Sequence, residues 1–435
     1  MSGAVFRVAA GGCVRGEIEV PGDKSVSHRA LLLGGIAEGT TEVEGFLESE
    51  DCLATLNAMR AMGVAVERPS PGRVVIDGVG LHGLQAPPGP LAMGNAGTAM
   101  RLSMGLLAGQ AFDATLSGDA SLSSRPMERV AAPLRLMGAR IDTTDGHAPV
   151  RIHGRAQLTA IDYDLAVPSA QVKSAILLAG LYAAGVTAVT EHAVTRDHTE
   201  RMLRAFGVAV DRTGERVSIA GGQRLHGGPI RVPGDISSAA FFLVAAALAA
   251  EGTFVIRDVG VNPTRTGVID ILTLMGADIR VTNLRLAGDE PVADLELRAG
   301  ELKGIEVPRA LVPRAIDEFP VLFVAAAAAR GTTLVSGAAE LRVKESDRIA
   351  VMAAGLRTLG IEADQRPDGL RIVGGQLGSG AVDSHGDHRV AMAFAIAALK
   401  ARGALEIRDV ANVATSFPGF ASIARHAGLA IEEVR

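Results

Sequence analysis

No tryptophan occurs in the 435 residues, tyrosine occurs twice, and aromatics as a whole make up 3% of the chain. Proteins that hold single-stranded nucleic acid stack its bases on aromatic platforms, and this chain has few to offer. An excess of basic charge is also missing. The 43 Lys and Arg stand against 48 Asp and Glu, a formal net charge of −5, which leaves no overall basic footprint for a phosphate backbone. Only two cysteines are present, Cys13 and Cys52. They cannot build a disulfide framework, lack metal-ligand spacing, and point to a reducing compartment. The longest apolar run without glycine, Ala239–Ala250, spans twelve residues, whereas a membrane helix needs about 20. The N-terminus shows no apolar signal core and no Arg- and Ser-rich transit stretch. The expectation is a cytoplasmic protein with neither a nucleic-acid nor a membrane partner.

Glycine, by contrast, is abundant: 52 residues, about 12% against the usual 7% or so. Part of the excess recurs in one element, an apolar residue followed by Gly and a β-prone stretch. It occurs at Gly63, Gly138, Gly207, Gly276, Gly360 and Gly428, with spacings of 75, 69, 69, 84 and 68. Six units of this size account for the chain. Each reads as a polar turn, an apolar helix, a short β stretch, an amphipathic helix ending at the recurrent Gly, and a closing strand. The apolar helices include Ala175–Ala184, Ala239–Ala250, Phe323–Ala329 and Val390–Leu399. A helix apolar all round must be buried on every side, and small residues suit close helix packing. Pro21-Gly22-Asp23 and Pro233-Gly234-Asp235 each follow a short strand. This repeated punctuation divides the chain into a domain of residues 22–232 and one of 1–21 with 233–435. Each domain has three units, with a hinge at the two crossings.

Charged and polar residues collect in the turns before the apolar helices: Asp23-Lys24-Ser25-Val26-Ser27-His28-Arg29, Gly94-Asn95-Ala96-Gly97-Thr98-Ala99-Met100-Arg101, Pro168-Ser169-Ala170-Gln171-Val172-Lys173-Ser174, Asp235-Ile236-Ser237-Ser238, Asp317-Glu318 and Gly386-Asp387-His388-Arg389. Helix N-termini carry free N–H groups and partial positive charge, so they favour anions. Ser, Asn and Asp there also serve as plain caps. Capping does not account for Lys24, Arg29 and Arg389, since a cation at that end opposes the helix dipole. A shared anionic ligand does. Two further stretches add cations, Gly118–Met127 with Arg125, and Leu341–Arg348 with Lys344 and Arg348. The second reads as a helix start that places Lys344 and Arg348 on one face.

Taken together, Pro-Gly-Asp-Lys-Ser-x-Ser-His-Arg, Gly-Asn-Ala-Gly-Thr-Ala-Met-Arg, Arg-Pro-Met, Pro-Ser-Ala-Gln-Val-Lys-Ser, Arg-Val-Lys-Glu-Ser-Asp-Arg and Asp-His-Arg occur in one order along the chain. In this order they resemble the enolpyruvyl transferases, in the branch that acts on shikimate-3-phosphate, over essentially the whole length. The resemblance implies a two-domain inside-out α/β barrel of six βαβαββ repeats, three per domain. It implies transfer of the enolpyruvyl group of phosphoenolpyruvate to the 5-hydroxyl of shikimate-3-phosphate, with release of phosphate, as a step towards aromatic amino acids. No motif calls for a metal or organic cofactor. Glyphosate is the expected inhibitor and a monomer the expected state. The two substrates carry about −5 to −6 in all, counting each phosphate at −1.5 to −2. Lys24, Arg29, Arg125, Arg196, Lys344, Arg348 and Arg389 supply matching cations, and Arg forks suit phosphate and carboxylate.

Carried over residue by residue, the resemblance implies that Lys24, Ser25, Arg29, Ser169, Ala170, Gln171, Arg196, Asp317 and Lys344 bind shikimate-3-phosphate. Phosphoenolpyruvate falls to Lys24, Asn95, Gly97, Arg125, Gln171, Arg348 and Arg389. Asp317 would accept the hydroxyl proton and Glu345 would protonate the methylene carbon, but the sequence leaves the proton steps open among Asp317, Glu345, Lys24 and His388. His28 reads as a structural histidine. Some positions depart from the family. Many members have a Lys before Phe-Pro where this chain has Ala414-Thr415-Ser416-Phe417-Pro418, Glu340 replaces an Asn, Leu102 replaces a Pro, and Gly97 stands where glyphosate-tolerant members have Ala. The alternative is the sister activity on UDP-N-acetylglucosamine, which uses a loop Cys shortly before Arg-Pro. Here that place holds Ala120. A nucleotide-using phosphate cyclase with related repeats and a non-catalytic binding protein of the same fold are more distant readings.

Overall fold

The helix Ile236–Ala249 contains only Ile, Ser, Ala, Phe, Leu and Val, so it has no polar face for water, and Ile236–Leu248 are all buried. In the computed structural model, which describes residues 3–154 and 157–434, five other helices share this condition. They are Lys24–Gly35, Gly97–Ala108, Ala170–Gly180, Phe319–Ala328 and His388–Ala397. The four whose apolar runs are marked in the sequence begin two to five residues before those runs, taking in part of the polar turn. Asp23, Ser169, Asp235 and Asp387 accept N–H bonds from the first turn of the helices they precede.

Close approach explains much of the glycine. A Cβ on Gly105 would lie 2.1 Å from the Ala175 carbonyl oxygen, so the helices Gly97–Ala108 and Ala170–Gly180 meet backbone to backbone. The recurrent glycines serve differently. All six are left-handed, with φ between 82° and 118°. The N–H of each bonds the carbonyl three residues back, and the next N–H the carbonyl five back, as in Gly63 to Arg60 and Val64 to Met59, or Gly428 to Arg425 and Leu429 to Ala424. This double bond pattern ends a helix and turns the chain into the following strand.

The chain divides into two units. One comprises Gly22–Val232 with Ala287–Glu290. The other comprises the segment up to Pro21, Pro233–Leu286 and the segment from Pro291 onward. Among the described residues each unit holds three small sheets, five of the six mixed and that of Thr332–Val335, Glu362–Arg366 and Gly369–Val373 antiparallel. The pattern is plainest in the third repeat. Asp162–Asp164 runs parallel to Val186–Thr190 across the helix Ala170–Gly180, and the hairpin Val210–Thr213 and Arg216–Ala220 continues antiparallel. The repeats therefore have the βαβαββ order.

Three repeats take a strand from elsewhere in the chain. Pro229–Arg231 lies parallel to Glu38–Glu44, with Ile230 opposite Val43. Glu17–Glu19 lies parallel to Phe254–Gly260, with Ile18 opposite Ile256. The first strand, Val5–Val8, inserts between Leu405–Arg408 and Ile431–Val434 and supplies the inner strand that the last repeat lacks. The fifth repeat departs from the pattern. Its opening strand is reduced to isolated bridges from Lys303 to Arg330 and from Glu306 to Leu334.

Gly360→Ala forces a side chain into φ of 82° with no neighbour within 4 Å. It should destabilise by about 1–2 kcal/mol from backbone strain alone. Gly105→Ala adds a steric clash and should cost about 3 kcal/mol or more. Urea unfolding followed by circular dichroism distinguishes them. Equal midpoints for the two variants would contradict this division of glycine roles.

Candidate active site

Each unit gathers the N-terminal ends of its three buried helices, and polar side chains tie these ends together. In the unit of Gly22–Val232, Lys24 opens the first helix and pairs with Asp51 at 2.9 Å. Asp51 lies on the amphipathic helix Glu50–Ala61, where it and Thr55 are buried among Cys52, Leu56 and Met59. Both interrupt the apolar face because they serve the neighbouring helix: Asp51 holds Lys24, and the Thr55 hydroxyl lies 2.8 Å from His28 Nδ1. Burial, and then the charges of Lys24 and Arg29, push the His28 pKa down to about 3. His28 is thus a neutral, enclosed histidine, as the sequence reading has it.

Arg29 is also buried, and burial lowers its pKa to about 10, so it remains a cation at neutral pH. Its Nε donates to the Thr199 hydroxyl at 2.7 Å, its Nη2 to Ser174 Oγ at 3.0 Å and its Nη1 to the Ser25 carbonyl at 3.0 Å. Arg196, half-buried, lies near enough for its charge to oppose that of Arg29. Two guanidinium groups near each other suit a dianion. Ser169 caps the third helix through Val172 N–H, so Ala170 and Gln171 occupy its first turn.

Asn95 and Arg125 form a second group. Arg125 donates to Asn95 Oδ1 at 2.5 Å, to the Asn95 carbonyl at 3.2 Å and to Ser121 Oγ at 3.1 Å, while Asn95 Nδ2 donates to Asp119 at 2.9 Å. Gln171 joins this group to the third helix, accepting from Arg101 Nη1 at 2.5 Å and donating to Thr98 Oγ1 at 3.0 Å. Arg101, quoted in the motif but given no role in the sequence reading, is therefore the partner that orients Gln171. A Cβ on Gly97 would lie 3.1 Å from Arg125 Nη1 and 3.5 Å from Arg101 Nη1.

The other unit contains a carboxylate-rich counterpart. Arg348, 1% exposed, donates from Nε to Asp387 at 2.8 Å and from Nη2 to Glu345 at 2.6 Å, and its Nη1 lies 3.4 Å from Asp317. Burial works against its charge, but Asp387, Glu345 and Asp317 together more than offset this and raise its pKa above the usual value. Lys344 Nζ is 3.4 Å from the same Asp317 oxygen. The expected single helix face for Lys344 and Arg348 is not found. Residues 339–343 form a 3-10 turn, Lys344 is extended, and the helix begins at Arg348. The reason is Asp347, whose side chain accepts the Ala350 N–H and starts the helix there. Lys344 and Arg348 still meet, through Asp317.

Asp387 has two tasks, capping the helix of His388 and Arg389 and anchoring Arg348. His388 is 3% exposed, more enclosed than Asp317 or Glu345. Glu318, next to Asp317, links all three helices of this unit. It caps none by side chain, but it accepts from Ser237 Oγ and lies 3.9 Å from Arg389 and 3.6 Å from Arg265. The sequence marks Glu318 only as a neighbour of Asp317, and Arg265 not at all. Thr415, at the place where the family resemblance leads one to expect a Lys, is buried, and its hydroxyl donates to the Asn412 carbonyl at 2.7 Å. Among the described residues no group of three or more His, Cys, Asp or Glu is placed to hold a metal.

Two helix-end clusters of cations, one with adjacent accessible carboxylates, on βαβαββ units define an α/β enzyme for anionic substrates. A model of the EPSP synthase (3-phosphoshikimate 1-carboxyvinyltransferase) family matches residues 8–423. The 3-phosphoshikimate 1-carboxyvinyltransferase of Alkalilimnicola ehrlichii is 63% identical over 428 residues, covering 98% of this chain and 96% of that protein. The one from Methylococcus capsulatus is 62% identical over 429 residues, covering 98% of both. A solved structure of EPSP synthase from Acinetobacter baumannii superposes with a TM-score of 0.89 at 55% identity, covering 99% of this chain and 100% of that one. The chain belongs to the EPSP synthase family and is an enzyme with that family's two-domain inside-out α/β fold. The sister activity on UDP-N-acetylglucosamine is not favoured by these relatives.

His28 sets one pH dependence. The unfolded chain binds a proton near pH 6.5 and the folded chain only near pH 3, so its contribution is complete above about pH 6.5 and is lost as pH falls towards 3. Between pH 7 and pH 5 the wild type should lose about 2 kcal/mol more stability than His28→Gln. Urea midpoints at the two pH values test this, and parallel losses in both proteins would refute it.

Proposed function

We propose that this chain transfers the enolpyruvyl group of phosphoenolpyruvate to the 5-hydroxyl of shikimate-3-phosphate and releases phosphate, acting as a cytoplasmic monomer. The observation that carries the reading is Asp317 beside Lys344 and Arg348, at 3.4 Å from each, in a chain matched by the EPSP synthase family over residues 8–423. Shikimate-3-phosphate takes Lys24, Ser25, Arg29, Ser169, Ala170, Gln171 and Arg196 on its phosphate and ring side, with Asp317 and Lys344 at the reacting hydroxyl. The paired guanidinium groups of Arg29 and Arg196 support this assignment for the phosphate. Phosphoenolpyruvate takes Lys24, Asn95, Gly97, Arg125, Gln171, Arg348 and Arg389.

In the addition step the 5-oxygen bonds to C2 of phosphoenolpyruvate, its proton passes to Asp317, and C3 gains a proton from Glu345. In the elimination step C3 returns a proton to Glu345, the C2–C3 double bond re-forms, and the C2–O bond breaks with its electron pair leaving on phosphate. Asp317 and Glu345 suit these roles because both side chains keep an open face, at 13% and 18% exposure. Asp387, fully buried, is committed to Arg348 and the helix cap. Lys24 assists at the phosphate of phosphoenolpyruvate, and the enclosed His388 supports the helix end.

Phosphate release in the presence of both substrates tests the function. Asp317→Ala should lower kcat by about 10²–10⁴, the usual range for a general acid or base, and Lys24→Met should raise KM for both substrates. Release without shikimate-3-phosphate, or full activity in Asp317→Ala, would refute the assignment. Glyphosate is longer than phosphoenolpyruvate, and a methyl at Gly97 would project among Arg125, Arg101 and Leu122. The wild type should be inhibited in the micromolar range and Gly97→Ala at least about tenfold less, or ~1.4 kcal/mol. Equal inhibition of the two would exclude Gly97 as the determinant.

A further inference from the structure

Lys173 is fully enclosed, with 0% exposure, on a helix otherwise lined with Val, Ser, Ala, Ile and Leu at its buried positions. Its ammonium lies 2.9 Å from Glu191 and 2.7 Å from Glu200, both buried as well. Glu191 is saturated with donors. One oxygen receives Lys173, the Thr195 N–H at 3.2 Å and the Thr195 hydroxyl at 2.6 Å, and the other receives Arg212 at 3.0 Å. An apolar core gains little from two buried ion pairs as such. Their value lies in what they fasten.

The three residues come from three segments. Lys173 lies one turn into the helix that opens with Ala170 and Gln171, Glu191 follows the strand Val186–Thr190, and Glu200 lies in the first turn of the helix His198–Ala205. The first two carry groups assigned above to shikimate-3-phosphate, Ala170 with Gln171 and Arg196, and the third supplies a partner of Arg29. The helix of Lys173 also supplies Ser174 to Arg29, the helix of Glu200 supplies Thr199 to Arg29, and Ser174 accepts from Thr199 at 2.7 Å. The turn after Glu191 carries Arg196, next to the doubly held Thr195. Opposed like charges on Arg29 and Arg196 push the two apart, so something must hold that turn in place before the anion arrives.

We propose that Lys173, Glu191 and Thr195 are positioning residues that hold Arg196 and the partners of Arg29 ready for the phosphate of shikimate-3-phosphate, without touching the substrate. The inference rests on the reading that this unit binds that substrate. The clamp acts on affinity for one substrate, not on the chemical step.

Steady-state kinetics, with thermal unfolding as the check on folding, tests it on the full chain. Thr195→Val removes the hydroxyl bond to Glu191 and leaves the ion pairs intact. It should raise KM for shikimate-3-phosphate by about tenfold, in line with the loss from small misplacements, while KM for phosphoenolpyruvate and kcat stay within about twofold. Thr195→Ser keeps the hydroxyl and should restore the wild-type KM. Lys173→Met should show a larger shift in the same direction, and if it does not fold the two Thr195 variants decide alone. A wild-type KM for shikimate-3-phosphate in Thr195→Val, or equal shifts for both substrates, would overturn the proposal. Titration calorimetry with shikimate-3-phosphate separates this from the functional reading. If the wild type itself neither binds it nor releases phosphate, the substrate assignment fails, whereas a wild type that binds alongside a Thr195→Val that binds equally well defeats only the clamp.

Discussion

A helix with no polar side cannot face water, and its charged residues can stand only at its ends. Six helices of this protein are under that constraint, and the rest of the structure follows from it. Their flanks demand close neighbours, which small residues such as Gly105 against Ala175 allow. Their N-terminal ends, with unfilled N–H groups, attract both caps and anions. Two roles that are often separate, core packing and ligand recognition, therefore occupy the flanks and the N-terminal ends of the same apolar rods.

The consequence is a set of buried charges that a globular core would otherwise avoid. Arg29, Lys173 and Arg348 lie inside, and each is matched. Arg29 is held by hydroxyls and a carbonyl, Lys173 by two carboxylates, and Arg348 by three. The matching differs with the task. Arg29 is bound through neutral groups that leave its positive charge uncancelled at contact distance, as an anion site requires. Arg348 is surrounded by acids, two of which, Asp317 and Glu345, are accessible enough to exchange protons. Under the proposed function, the first arrangement suits holding negative charge and the second suits moving protons.

Much of this was legible in the chain. The recurrent glycine is read as a helix end, and all six copies adopt the left-handed turn that ends a helix. The apolar runs are read as buried helices and are so. The polar openings are read as the place of function, and their side chains do meet at the helix ends. Less legible were residues whose role depends on a partner distant in sequence. Asp51 is an ordinary helix residue until Lys24 is seen beside it, and Arg265 has no motif at all. The expected common face of Lys344 and Arg348 was a local inference from i, i+4 spacing. It fails because Asp347 caps a helix that begins only at Arg348, four residues after Lys344.

By itself, then, the sequence determined the number of repeats, the burial of their apolar helices, the turns that end their second helices and the family of the chain. These are local properties, set by side-chain polarity and backbone preference within a few residues. Tertiary structure alone decided which strand closes which repeat, as when Val5–Val8 completes the last sheet and Pro229–Arg231 the first. It alone decided which acid neutralises which base, as for Glu191 with Lys173 or Glu318 with Arg389. Pairing of this kind depends on distances between segments far apart in the chain, and no pattern within one segment encodes such a distance.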